Sequence, residues 1–319
     1  MDEPTAAPGR GRLRLLAGIA VSAVSLGAVA LWATKQEPPR FPTAPGDIAL
    51  IGLGTLVYAI ATLARGYRWH TILRHGGIDH SPVDAFALVA VGYMGNTVLP
   101  ARGGELLRIV LLGERSSARR REILGTVLGE RLLDAATLAL LFVILTLAHV
   151  AENPAGSRPG VIAAGTLVLG ALVIVNYLRL RRRGHFEGFA ARVRPVARAA
   201  KPLLTSLGAA LATLTLGVWL LEGLIVWLVG HALHVDISLL EACFVLVLTA
   251  FFSLVPAAPG YVGTFDAAVV FGLKALDVTG GQAVAFGVLL RFILFFPITI
   301  VGLVALIARY GGLRRLRRA

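Results

Sequence analysis

Charged residues fall inside otherwise apolar stretches of this chain, and their types suit the handling of an anion. Asn96, Arg102, Glu105 and Arg108 lie in one such stretch, Glu130, Arg131 and Asp134 in the next, and Glu222, Asp266 and Arg291 in the second half. A charge at the centre of a membrane helix costs about 2.5–3.5 kcal/mol on insertion scales, so each must face the protein interior or a wet cavity and have a use there. Arginine suits phosphate because its planar fork makes two parallel charge-assisted hydrogen bonds, which lysine cannot do. Arg102, Arg131 and Arg291 are therefore the expected anchors of an anionic headgroup, with Asn96, Glu105, Glu130, Asp134 and Asp266 completing the set. Glu130 and Asp134 are four residues apart and share a helix face, and Arg131 reaches Asp134 at i,i+3. The competing chemistry is structural, in which the same charges pair and lock helices together. Glu105 and Arg108 read as an exposed i,i+3 pair, and Glu222 as a satisfied carboxylate or a proton carrier.

Other chemistries lack residues. His231, His234 and Asp236 have a spacing that a metal could use, but they sit at the end of an apolar run and read as interfacial side chains, so neither metal nor cofactor is expected. No Gly-rich phosphate loop, nucleophile elbow or HExxH motif occurs, and no catalytic residue is assigned: the chain reads as a non-enzyme. Cys243 is the single cysteine, which precludes an intramolecular disulfide. The formal charge of +13 does not imply nucleic acid, because aromatic residues do not interleave with the basic runs.

The elements that must position these charges are membrane helices. Of 319 residues, 56% are hydrophobic and 15% charged, and the mean hydropathy of +0.77 is foreign to a soluble domain of this length. Six runs, 13–32, 47–64, 123–149, 161–178, 207–233 and 283–308, approach the roughly 20 residues that a bilayer core requires. The first, taken as a transmembrane helix over 13–33, also resembles a signal peptide with Ala28-Val29-Ala30 as cleavage site, but it is long enough to be retained. Two further apolar regions, 83–112 and 238–276, are interrupted, one at Pro100, Gly103 and Gly104, the other at Pro256, Pro259, Gly260 and Gly263. Irregular backbone at membrane depth must be buried in protein or line a wet cavity, so these read as hairpins, with Pro-kinked full helices as the alternative. The fold expected is an all-α polytopic membrane protein of six full transmembrane helices and two broken hairpins.

Starting inside, this scheme puts the great majority of the 31 Lys and Arg in the cytoplasm, among them Arg65, Arg68 and Arg74 and the clusters at 179–201 and 309–318. Both termini are then cytoplasmic and the protein lies in the plasma (inner) membrane. The single membrane domain divides into repeat 1 (47–150), a connecting helix and basic loop (161–202), repeat 2 (203–308) and a basic tail (309–319). The second repeat is the first turned over, with Leu99-Pro100-Ala101 echoed by Val255-Pro256-Ala257 and Arg131 by Arg291. Paired Pro/Gly interruptions in inverted halves are the sequence mark of a transport site near the midplane.

The runs Asn96-Thr-Val-Leu-Pro-Ala-Arg-Gly-Gly-Glu-Leu-Leu-Arg108, Gly129-Glu-Arg-Leu-Leu-Asp134 and Val255-Pro-Ala-Ala-Pro-Gly-Tyr-Val-Gly-Thr-Phe-Asp266 resemble the lysylphosphatidylglycerol synthase transmembrane (flippase-like) family over almost the whole chain. The third run departs from the family's usual Pro-Gly-Gly-Leu-Gly turn, and Asp266 stands where Glu is common. The resemblance implies a lipid translocase built of inverted halves. In full-length synthases a soluble domain transfers lysine to phosphatidylglycerol; that domain is not expected here, and its activity is not carried over. The reading is a stand-alone flippase for an anionic, phosphate-bearing or polyprenyl-phosphate-linked lipid. Two alternatives stay open, an accessory subunit of a cell-envelope enzyme and a membrane glycosyltransferase.

Overall fold

The computed structural model describes residues 20, 23–99, 102–152, 205–253, 258–278 and 280–312. Its elements are α1 (Ala23–Ala33), α2 (Pro45–His75), α3 (Pro82–Val98), α4 (Gly103–Gly113), α5 (Arg120–Glu152), α6 (Ser206–Ala232), α7 (Leu239–Phe252), a 3-10 turn at Pro259–Tyr261, α8 (Thr264–Ala275) and α9 (Gly281–Tyr310). Among the described residues there is no strand. Helices α2, α6 and α9 are long and apolar enough to cross a membrane; at 1.5 Å per residue the 31 residues of α2 extend roughly 46 Å. Leu53, Leu56 and Ile60 on α2, and Ile300, Val301 and Val304 on α9, are exposed apolar side chains of the kind that face lipid.

Four of the expected spans are long helices, and both interrupted regions are pairs of shorter helices, as their Pro and Gly dictate. The run 161–178, the basic clusters at 179–201 and 314–318, and Pro100 and Pro256 lie outside the described residues. One expectation is corrected. The run 47–64 was to end at a cytoplasmic loop holding Arg65 and Arg68, yet α2 continues to His75 and buries both, at 4% and 1% exposure. Nothing in the sequence stops the helix before Gly76-Gly77, where Gly77 turns the chain at φ 68°.

The chain divides into two compact units, Met1–Thr62 with Ala87–Leu111 and Leu221–Ala319, and Leu63–Phe86 with Leu112–Leu220. In the first unit, small residues set the packing, as they do in membrane bundles. Gly92 of α3 meets the aliphatic stem of Arg108, and Gly95 and Asn96 meet Gly104. Partners that fall in number as α3 rises make α3 and α4 an antiparallel hairpin. A Cβ on Gly104 would collide with the Gly92 carbonyl oxygen, and one on Gly302 of α9 with that of Ala90. Gly54 of α2 lies against Ile293 and Ile225, Gly223 of α6 against Cys243, and α8 packs on both α7 and α9. Arg108 is 3% exposed, so the expected exposed Glu105–Arg108 pair is also corrected: closeness to glycine buries the arginine stem.

In the second unit, Gly66 on the last part of α2 admits the ring of Phe86. Trp69 donates its indole N–H to Thr126 Oγ1 at 3.1 Å, joining α2 to α5. Ser81 caps α3 through Asp84, whose other carboxylate oxygen accepts from Arg115 at 3.0 Å.

These contacts predict opposite outcomes for two glycines. Gly104→Val should lower detergent-solubilised stability by about 1–3 kcal/mol, the usual overpacking cost. Gly52→Ala, where a Cβ meets nothing within 4 Å, should be neutral or stabilising. A thermal melt of each purified variant decides.

Candidate functional site

Of the sequence-predicted residues, Asn96, Arg102, Glu105, Asp266 and Arg291 belong to the first unit, and Glu130, Arg131 and Asp134 to the second.

In the second unit the organising side chain is Arg68, which sequence reasoning had assigned to the cytoplasm. Its Nη1 donates to Asp134 Oδ1 at 2.7 Å and to Thr215 Oγ1 at 2.9 Å. Its Nη2 donates to Asp134 Oδ2 at 3.3 Å and to Glu130 Oε1 at 3.5 Å. Glu130 and Asp134 do share a face, one turn apart on α5, and the face they share is the one that receives Arg68. Thr215 passes its own hydroxyl hydrogen to the Leu211 carbonyl, which leaves its oxygen free to accept. One guanidinium thus ties α2, α5 and α6, with both terminal nitrogens fully used. Arg131 makes the expected i,i+3 contact with Asp134 at 3.3 Å and remains partly exposed. Arg65, one turn before Arg68, lies over the Trp219 ring at 5.5 Å. The missed signal was local: Arg65 and Arg68 share a face of an unbroken helical run, three residues apart and flanked by apolar and aromatic residues.

The first unit brings the two interrupted regions together. Arg102, at the entrance to α4, donates from Nη2 to the Ser253 carbonyl at 3.0 Å, just past the end of α7, and lies over the Tyr261 ring at 5.7 Å. Gly260, in the same turn as Tyr261, approaches the Thr97 carbonyl so closely that a Cβ there would stand 3.3 Å away. Arg291 of α9 grips Asp266 with one edge of its guanidinium, Nε to Oδ1 at 3.0 Å and Nη2 to Oδ2 at 2.9 Å, and its Nη1 donates to the Gly260 carbonyl at 3.0 Å. The rings of Phe265 and Phe295 flank that guanidinium at 5.0 and 5.1 Å. Asp266 also accepts the Gly263 N–H, which caps α8. Asn96 Oδ1 accepts the Gly104 N–H at 3.1 Å and so caps α4 from the preceding helix. Arg102, Asp266 and Arg291 are all part-exposed. Glu105 is half-buried on α4 and Glu222 is buried on α6.

At the far ends of the helices, His234 Nε2 lies 3.2 Å from Asp47, while His231 bonds the Trp227 carbonyl and packs on its ring. Among the described residues no group of three His, Cys, Asp or Glu side chains is arranged to hold a metal ion.

The family model for the lysylphosphatidylglycerol synthase TM region matches residues 15–302. The chain belongs to this family. It is 25% identical to a UPF0104 membrane protein of Methanothermobacter thermautotrophicus, over 79% of this chain and 81% of that one. A UPF0104 membrane protein of Methanocaldococcus jannaschii is 26% identical over 65% of this chain and 90% of its own. Glycosyltransferase AglD of Haloferax volcanii is 24% identical over 48% of this chain, but the match takes in 24% of AglD. No solved structure matches. Membership of the family, with the apolar helices, makes the chain an integral, multi-pass membrane protein.

Loss of one partner from a buried ion pair costs about 3–5 kcal/mol, so Arg68→Ala should lower stability by that order. Arg68→Lys should recover little of it, since an ammonium cannot reach Asp134, Glu130 and Thr215 together. Arg131→Lys, at a partly exposed contact, should cost no more than about 1 kcal/mol. Chemical or thermal denaturation in detergent orders the three.

Proposed function

We propose that this protein moves a lipid with an anionic, phosphate-bearing headgroup between the leaflets of the plasma membrane, acting as a translocase rather than an enzyme. The observation that carries the reading is the meeting of the two interruptions: Arg102 of the first docks on the Ser253 carbonyl and the Tyr261 ring of the second. Interrupted helices expose dipole ends at membrane depth, and a fork of N–H donors between two such ends is suited to a headgroup that must leave water. Of Arg102, Arg131 and Arg291, Arg102 alone has no carboxylate partner among the described residues, which makes it the principal anchor.

The two broken pairs, α3–α4 and α7–α8, support a construction from inverted repeats, with the six spans and two hairpins of the sequence reading as its segments. Removing Arg65 and Arg68 from the cytoplasmic set leaves the charge bias intact, so both termini are placed in the cytoplasm on the positive-inside rule. The match to AglD leaves about three quarters of that glycosyltransferase without a counterpart here, so it supports a shared membrane region and not glycosyl transfer.

Proteoliposomes with a fluorescent anionic phospholipid test the reading by leaflet exchange. Arg102→Gln should slow exchange at least roughly tenfold, equivalent to about 1.4 kcal/mol, and Arg102→Lys should restore part of it. Exchange no faster than in protein-free vesicles would remove the translocase assignment. For orientation, cysteines replacing Arg115 and Asp236 in a background lacking Cys243 should react with impermeant reagent from the inside and the outside respectively; the reverse pattern overturns the topology.

A further inference from the structure

Resting on the translocase reading of the same site, we propose that the site selects headgroups carrying a single net negative charge, a phosphodiester bearing only neutral substituents, over phosphomonoesters, pyrophosphates and zwitterions. The inference comes from local charge. Arg291 and Asp266 cancel, joined by two parallel hydrogen bonds along one edge of the guanidinium. Glu105 and Arg108, further along α4, are of opposite sign and each is engaged in the protein. Among the described residues Arg102 is left as one uncompensated positive charge, held by a carbonyl oxygen and the face of an aromatic ring. A low-dielectric site penalises whatever charge remains after binding, so the best ligand is the one that brings the sum to zero. A phosphodiester supplies one negative charge. A phosphomonoester or pyrophosphate supplies about two or more, and a zwitterion supplies none.

Donor supply agrees. Arg291 uses three of its five N–H bonds on Asp266 and Gly260, and Arg102 uses one on Ser253. Both forks meet the same turn, Arg291 at the Gly260 carbonyl and Arg102 at the Tyr261 ring, and each keeps donors of the kind that the non-bridging oxygens of a phosphodiester accept. Asp266, part-exposed beside them, repels a second negative charge. The carboxylate is therefore the specificity-determining residue, and Arg102 is the one that admits an anion at all.

Native mass spectrometry of the detergent-purified full chain, offered equimolar phosphatidylglycerol, phosphatidic acid and phosphatidylethanolamine at a pH where phosphatidic acid is dianionic, reads the preference directly. Wild-type protein should retain phosphatidylglycerol at least roughly tenfold over either competitor. Asp266→Asn, which keeps the side-chain shape and raises the local charge by one, should move the preference to phosphatidic acid. Arg102→Gln should move it to phosphatidylethanolamine, and this arm stands if Asp266→Asn fails to fold. Equal or better retention of phosphatidic acid by the wild type, or an unchanged order in a folded variant, would overturn the proposal. So would displacement of bound phosphatidylglycerol by an equal concentration of water-soluble glycerophosphoglycerol, which would make the ligand a free phosphodiester. Because retention is read without any leaflet exchange, the predicted order in a protein that exchanges no lipid would sink the translocase reading and leave the charge selectivity standing.

Discussion

Hydrocarbon offers no hydrogen-bond partner, so each polar group carried into the membrane must be satisfied from within the chain. Arg68 shows that constraint at work in its two terminal nitrogens, while its Nε lies 3.5 Å from Glu130 Oε1 without a hydrogen bond. Buried to 1% exposure, it reaches two carboxylates on α5 and a hydroxyl on α6, and the position of three helices follows from the need to surround one guanidinium. The same demand acts on smaller groups. Thr55, Thr62, Thr97, Thr249 and Thr299 each return the hydroxyl hydrogen to the carbonyl four residues earlier, so their polarity is absorbed by their own helices.

The first unit meets the constraint differently, because its helices are interrupted and leave backbone ends to satisfy. Asn96 caps α4, Asp266 caps α8, and Ser253, just beyond α7, offers its carbonyl to Arg102. The glycines of α3 and α4 let backbone lie against backbone, so the break at the start of α4 is held against α3 by main-chain contact rather than by adaptable side chains. Rigid support of this kind gives Arg102 a fixed place from which to project.

Helix positions were legible because apolar runs and Pro/Gly interruptions act locally, and the helix pairs flanking both breaks follow from them. The Arg131–Asp134 contact was legible for the same reason, being one turn of a single helix. Arg68 was not, because its partners lie 62 to 147 residues away and a positively charged residue near the end of an apolar run has the same composition whether it faces water or two buried carboxylates. The unit to which each charged residue belongs was hidden likewise, since both groups fall in apolar sequence and only tertiary packing assigns them. The meeting of the two breaks could be suspected from the echoed Pro/Gly runs, but the residue that joins them, Tyr261, looks in sequence like one more apolar neighbour of a glycine.

Arg102 and Tyr261 face one another with φ of 58° and 54°, a left-handed backbone that costs a non-glycine residue about 1–2 kcal/mol. Glycine would relieve the strain at either position and remove the side chain that makes the contact. Selection for thermal stability alone would therefore drift towards glycine at these two sites and hand back a better-folded protein that has lost the contact between its two breaks. The strain marks where backbone stability and the side-chain contact between the two breaks pull the sequence in opposite directions.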